Sequence, residues 1–158
     1  MGNCIALSSR RPALIEYKDT TPFIPPVTAG TVIKVYDGDT ITIASTLPIR
    51  DKQKTLYRFS IRLRDIDSPE LRTSGAEEKE VAQLAQKTLS ELCLGQRVTL
   101  QDVATEKYGR ILANVILMPV NINLSQYMLQ QRLAVSYDGG TKVSPVSWKN
   151  YHENGTLT

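Results

Sequence analysis

Two short acidic turns carry the side chains in this sequence best suited to holding a hard cation. Asp37-Gly38-Asp39-Thr40 interrupts one β-prone run, and Asp67-Ser68-Pro69-Glu70 follows another. Each alone has a plain structural account, since an Asp-Gly turn is a common hairpin signal and an acidic, proline-bearing exit leads readily into a helix. Convergence at a barrel rim would gather Asp39, Asp67 and Glu70 in a small space, which is tolerated only if a cation or bound protons offset the charge. Zinc does not fit, because His152 is the only histidine and Cys4 and Cys93 lack finger spacing. The Asp-Gly-Asp turn is not an EF-hand loop either, so a calcium or magnesium ion would be held by separate segments. Arg62 and Arg110 supply complementary chemistry, since a guanidinium fork stays charged and binds phosphate oxygens in pairs. Such groups stabilise the charge that builds up as a phosphodiester is attacked. For either arginine alone, a solvated surface charge is the competing account.

The elements that must position these residues are legible in outline. Thr31-Val32-Ile33-Lys34-Val35 and Thr40-Ile41-Thr42-Ile43 read as strands joined by the acidic turn, and a polar loop runs from Ala44 to Lys54. Tyr57, Phe59, Ile61 and Leu63 alternate with Arg58, Ser60, Arg62 and Arg64, the period of a strand with one buried face. Ser74-Gly75-Ala76-Glu77 has capping-box spacing, and Val81, Leu84, Ala85, Thr88, Leu89 and Leu92 recur at helical intervals before Gly95. Arg97 to Asp102 and Arg110 to Leu117 form a hairpin pattern around Glu106-Lys107-Tyr108-Gly109. A second helix follows a cap at Asn121 or Asn123, and a short third one starts near Pro145 and stops at Asn154-Gly155. Five strands with a helix after the third predict an α+β, mainly β fold: a five-stranded OB-type barrel with two or three helices.

The composition is that of an ordinary soluble domain, 41% hydrophobic and 22% charged over 158 residues, enough for one core. A net charge of +3 leans toward a polyanionic partner. Residues 1–29, with Pro12, Pro22, Pro25 and Pro26, read as a flexible tail, and 30–158 as the folded domain. No apolar run reaches membrane-spanning length, no secretory core opens the chain, and the two cysteines do not form a disulfide framework. The expectation is a cytoplasmic, monomeric protein that is not secreted. Met1-Gly2-Asn3-Cys4 offers Gly2 for myristoylation and Cys4 for palmitoylation, although the sixth residue is Ala6 rather than serine or threonine. Two acyl chains would hold the protein on the cytoplasmic face of a membrane, helped by Arg10, Arg11 and Lys18; an unmodified tail is the alternative.

Val35-Tyr36-Asp37-Gly38-Asp39-Thr40, Arg62-Leu63-Arg64-Asp65-Ile66-Asp67-Ser68-Pro69-Glu70 and Lys107-Tyr108-Gly109-Arg110, taken together and in this order, resemble the signature segments of the staphylococcal-type thermonucleases. The resemblance covers Thr31 to Tyr137. It implies the staphylococcal-nuclease fold and a calcium-dependent, sugar-nonspecific nuclease that cuts DNA and RNA to 3′-phosphate and 5′-hydroxyl ends. It further implies that Asp39, Asp67 and the Ser68 carbonyl bind calcium, with Asp37 supporting through water and Thr40 beside them. Arg62 and Arg110 match the phosphate-clamping arginines and Glu70 the glutamate that activates water. Lys107 and Tyr108 match terminal-phosphate contacts, and Tyr137 a nucleotide-stacking tyrosine. The 44–54 loop is longer than in the bacterial enzyme, the stretch 71–75 shorter, and the C-terminal segment abbreviated. The N-terminus resembles that of plant calcium-dependent members, implying a eukaryotic cell or a virus replicating in one.

Three classes of function follow. The first is the nuclease; the second is an inactive nuclease-like module gripping single-stranded nucleic acid or protein, whose known relatives lose ligand or arginine positions that are all present here. The third, a lipid-anchored adaptor, rests on the first four residues alone.

Overall fold

The computed structural model describes residues 14–48, 54–72, 75–106 and 109–157. Strand β1 (Ala29–Val35) turns through residues 36–39 into β2 (Thr40–Ser45), which pairs antiparallel with β3 (Tyr57–Leu63). A short β4 (Ile66–Asp67) and helix α1 (Ala76–Cys93) precede the hairpin β5 (Arg97–Thr105) and β6 (Ile111–Leu117). β1 also pairs with β5, and β3 runs parallel to β6, so β1, β2, β3, β6 and β5 close a five-stranded barrel. Then come β7 (Ile122–Asn123), α2 (Leu124–Gln130), β8 (Val135–Ser136) and α3 (Trp148–Asn154). The mainly β barrel with three helices is the fold the strand and helix order predicts.

Alternation in β3 sends Ile61 and Leu63 into the core beside Ile41, Ile43, Val98 and Val115, all of them buried. Tyr57 is exposed at the start of that strand, and Arg62, on its polar face, is buried as well. Breaks in register between Val32 and Lys34 and between Gln101 and Ala104 give the bends that small barrels use to close. Val27, placed in the tail by its proline-rich surroundings, is only 2% exposed and belongs to the core.

Helix α1 presents Val81, Ala82, Ala85, Leu89 and Cys93 inward. Leu84 is exposed rather than buried, because the stripe that meets β1, α2 and α3 runs one residue later around the helix. The N-cap is Gly75, without a side-chain cap bond; Ser74 lies outside the described residues. Burial pushes the Cys93 thiol up to about 12, so it packs as an apolar group. Gly95, at φ 78°, ends the turn after α1 and donates its N–H to the Val32 carbonyl at 2.8 Å, tying helix to barrel. Asn123 caps α2 by accepting from the Gln126 N–H at 3.1 Å. Ser147 rather than Pro145 caps α3, which Gly155 ends in the left-handed conformation. No helix among the described residues is long and apolar enough to cross a membrane.

One glycine fixes the acidic turn against the rest of the fold. A Cβ on Gly38 would meet the Ala85 and Ser68 Cβ atoms, each at 2.8 Å, so only glycine lets the turn sit between α1 and the second acidic segment. Gly38→Ala should therefore destabilise the protein by about 1–3 kcal/mol, the usual cost of overpacking, measured by urea unfolding. An unchanged midpoint would show that the turn can move aside freely.

Candidate active site

The two acidic turns meet because Asp39 bridges them. Its Oδ1 accepts from the Thr40 hydroxyl at 2.8 Å, and its Oδ2 accepts from the Ser68 N–H at 3.2 Å. Its own N–H donates to Asp37 Oδ1 at 3.1 Å, the local bond that shapes the turn. Pairing of Asp67 with Val135, between β4 and β8, holds the second turn in place. Asp39 and Asp67 are both 6% exposed, and Ser68 is buried beside them.

Arg62, 8% exposed, lies between these carboxylates. Its Nη1 stands 2.5 Å from Asp39 Oδ2 and its Nη2 3.4 Å from Asp67 Oδ1. Strand register explains the placement: Arg62 pairs with Thr40 of β2 and Leu112 of β6, so the polar side of β3 opens onto the turns at this end of the barrel. Arg110 reaches the same cleft, donating to Glu106 at 2.6 and 2.8 Å and to the Thr40 hydroxyl at 3.3 Å. The Glu106 hydrogen bonds raise the Arg110 pKa further, so this guanidinium stays charged. Glu106 also lies 3.9 Å from Arg62 Nε and so stands between the two arginines.

Glu70 is exposed at the cleft edge, where its backbone N–H donates to Glu78 Oε1 at 3.1 Å. Tyr137 lines the cleft too, and its N–H bonds the Asp65 carbonyl at 3.0 Å. The cleft has a volume of about 290 Å³ and continues past Arg62, Glu106 and Tyr137 into a second hollow of about 360 Å³ lined by Leu63 and Leu112. The fold thus brings together Asp37, Asp39, Thr40, Arg62, Asp67, Ser68, Glu70, Arg110 and Tyr137. Lys107 and Tyr108, like Gly2 and Cys4, lie outside the described residues.

Two cleft residues escape sequence reasoning. Glu106 reads there as part of a hairpin connection, and only its spacing to Arg110 hints at a partner. Lys142 sits in a stretch with no periodicity, yet its Nζ lies 2.7 Å from Asp67 Oδ2. Burial pulls this ammonium down, but the bond to Asp67 and the surrounding carboxylates outweigh it and raise its pKa.

Asp37, Asp39, Asp67, Glu70 and Glu106 face Arg62, Arg110 and Lys142 among the described lining residues, leaving two negative charges uncompensated. Arg62 Nη1 and Asp67 Oδ2 are buried without a well-angled hydrogen bond, although each faces an opposite charge. A divalent, oxygen-seeking cation fits that deficit and that donor chemistry. Among the described residues no three Asp, Glu, His or Cys side chains converge into a ready cage, so the fit is one of charge and donor type.

Residues 60–151 match the family model described as staphylococcal nuclease homologue, a span holding Arg62, Asp67, Glu70, Arg110 and Lys142. No curated protein sequence matches the chain. Asp37 and Asp39 precede the matched span and join the cleft through the β2–β3 pairing.

Burial, and then the neighbouring Asp39 charge, push the Asp37 carboxyl up from 3.8 to about 6. A carboxyl raised in the folded state penalises folding above its folded pKa and not below its unfolded one. Without divalent cations, Asp37→Asn should therefore gain stability on the order of 1–2 kcal/mol at neutral pH. That gain should fade as pH falls from about 6 to 3.8. Thermal unfolding of both proteins across this range checks it; a gain that persists in acid would rule out charge as the cause.

Proposed function

Since the chain belongs to the staphylococcal nuclease homologue family, we propose that its cleft is the active centre of a calcium-dependent phosphodiesterase that hydrolyses DNA and RNA. The observation that carries this reading is the meeting of Asp39 and Asp67, from separate turns, around Arg62, with a deficit of positive charge among the described lining residues. Asp39, Asp67 and the Ser68 carbonyl would hold the ion, with Asp37 acting through water and Thr40 beside them. Calcium bound there supplies charge neutralisation and polarises a phosphoryl oxygen.

The chain's own groups do the rest. Arg62 and Arg110 bind the equatorial phosphate oxygens and stabilise the charge that grows on them. Glu106 holds Arg110 in a fixed orientation before substrate arrives, which lowers the reorganisation needed on binding. Glu70 accepts the proton of the attacking water. As the water oxygen bonds to phosphorus, the bond to the 5′ oxygen breaks; Arg110, which stays protonated, hydrogen-bonds that oxygen while it takes its proton from solvent water. The products are a 3′-phosphate and a 5′-hydroxyl. Tyr137, with Lys107 and Tyr108, would contact the nucleotide carrying that phosphate. The barrel acts as a monomer whose core takes in Val27 ahead of β1, and the tail before it is anchored through acyl chains on Gly2 and Cys4 to the cytoplasmic face of a membrane. Mass measurement of the N-terminus of protein expressed in eukaryotic cells tests the anchor: an unmodified Gly2 removes it.

Purified protein should degrade plasmid and single-stranded DNA with calcium and stop on chelation; degradation in chelator would overturn the metal assignment. Binding without cleavage would favour an inactive module. Glu70→Gln should slow cleavage by about 10²–10⁴ and Arg62→Lys by about 10²–10³. Arg62→Ala is a poorer probe, because removing one partner of a buried ion pair costs roughly 3–5 kcal/mol of stability. Calcium should also raise the melting temperature of the wild-type protein and not of Asp67→Asn, a readout independent of turnover.

A further inference from the structure

Outside the cleft, one exposed aromatic ring is flanked by cations from both acidic segments. Tyr36, 41% exposed, directly precedes Asp37. Lys34 Nζ lies 5.7 Å from its ring centroid and Arg72 Cζ 5.5 Å from it. Lys34 comes from the strand that enters the first turn, and Arg72 follows Glu70 by two residues. The backbone beneath the ring is fixed. Gln86 of α1 donates to the Tyr36 carbonyl at 2.7 Å, and the Tyr36 N–H donates to the Thr40 carbonyl at 2.8 Å.

Tyr36 lies outside the hydrophobic core and leaves 41% of its surface open to a ligand. Neither cation is drawn there by a carboxylate ion pair among the described residues. A single nucleic-acid strand meets both halves of the arrangement, since its base stacks on an aromatic face and its phosphates attract the two cations. Stacking of a base on an aromatic side chain outweighs an exposed cation–π contact, so a base would displace a cation from the ring and leave it for the adjoining phosphate.

We propose that Tyr36, with Lys34 and Arg72, forms a subsite that stacks one nucleotide of a single-stranded substrate beyond the bond being cut. The subsite rests on the phosphodiesterase reading of the adjacent cleft and extends it. It makes the enzyme prefer unpaired strands long enough to reach the ring, because a duplex keeps its bases stacked on one another.

The test is binding of a short fluorescein-labelled oligothymidylate and of a thymidine dinucleotide, read by anisotropy with calcium present in a Glu70→Gln background. Cleavage of both by the otherwise wild-type chain is measured alongside. Tyr36→Ala should weaken oligonucleotide binding about tenfold and leave the dinucleotide unaffected; Tyr36→Phe should retain the affinity and Tyr36→Leu should not. Lys34→Ala and Arg72→Ala should each flatten the dependence of log K on log salt by about 0.7. Equal affinity of Tyr36→Ala for the oligonucleotide, or an equal loss for the dinucleotide, overturns the subsite while cleavage by the wild-type chain still supports the reading of the cleft. A chain that binds the oligonucleotide through Tyr36 and cuts nothing overturns that reading and keeps the subsite.

Discussion

Arg62 is a buried cation whose neighbours come from three parts of the chain: Asp39 from the first turn, Asp67 from the second, and Glu106 from the hairpin connection. A lone guanidinium at this depth would be prohibitively costly, as would two buried carboxylates without it. Each group is therefore tolerable only because the others are present. That mutual requirement binds the acidic turns to the barrel wall and sets where every other cleft residue stands. Thr40 links Asp39 to Arg110, and Ser68 links Asp39 to the segment that ends at Glu70.

Reciprocal neutralisation of this kind is directional as well as energetic. Arg110 is pinned by both oxygens of Glu106, so its fork enters the cleft in one orientation. Lys142 reaches the buried Oδ2 of Asp67 from an exposed segment, a more solvent-screened hold than that of Arg62 on Oδ1. The cleft is therefore closed by buried ion pairs on its barrel side and by a half-exposed one on its C-terminal side.

The sequence shows the barrel well because its signals are periodic or terminal: alternation in β3, the Asp-Gly turn, an asparagine cap at 121 or 123, which the structure places at Asn123, and the Gly155 stop. It shows the candidate site less well, for identifiable reasons. Arg62 lies on the polar face of a strand, and period alone assigns that face to solvent; the strand's end opens instead onto an acidic cleft. Glu106 carries no pattern of its own, since its importance comes from standing between two arginines distant in sequence. Lys142 belongs to an irregular stretch, where only three-dimensional closure shows its partner. Leu84 and Val27 err in opposite directions. A helical stripe is wider in sequence than the contact it makes, and a valine among prolines can still be drawn into a core by the strand that follows it.

The parallel seam between β3 and β6 has a consequence for synthesis of the chain. Nearest-neighbour hairpins can form as the polypeptide emerges, but this seam joins segments with α1 and β5 between them. Until Ile111–Leu117 has left the ribosome, nascent Arg62 and Asp67 have no closed wall to lie in, and Arg110 is not yet available. The cleft is thus assembled late in translation, and a chain stalled before that point carries all the carboxylates without the architecture that makes them neighbours.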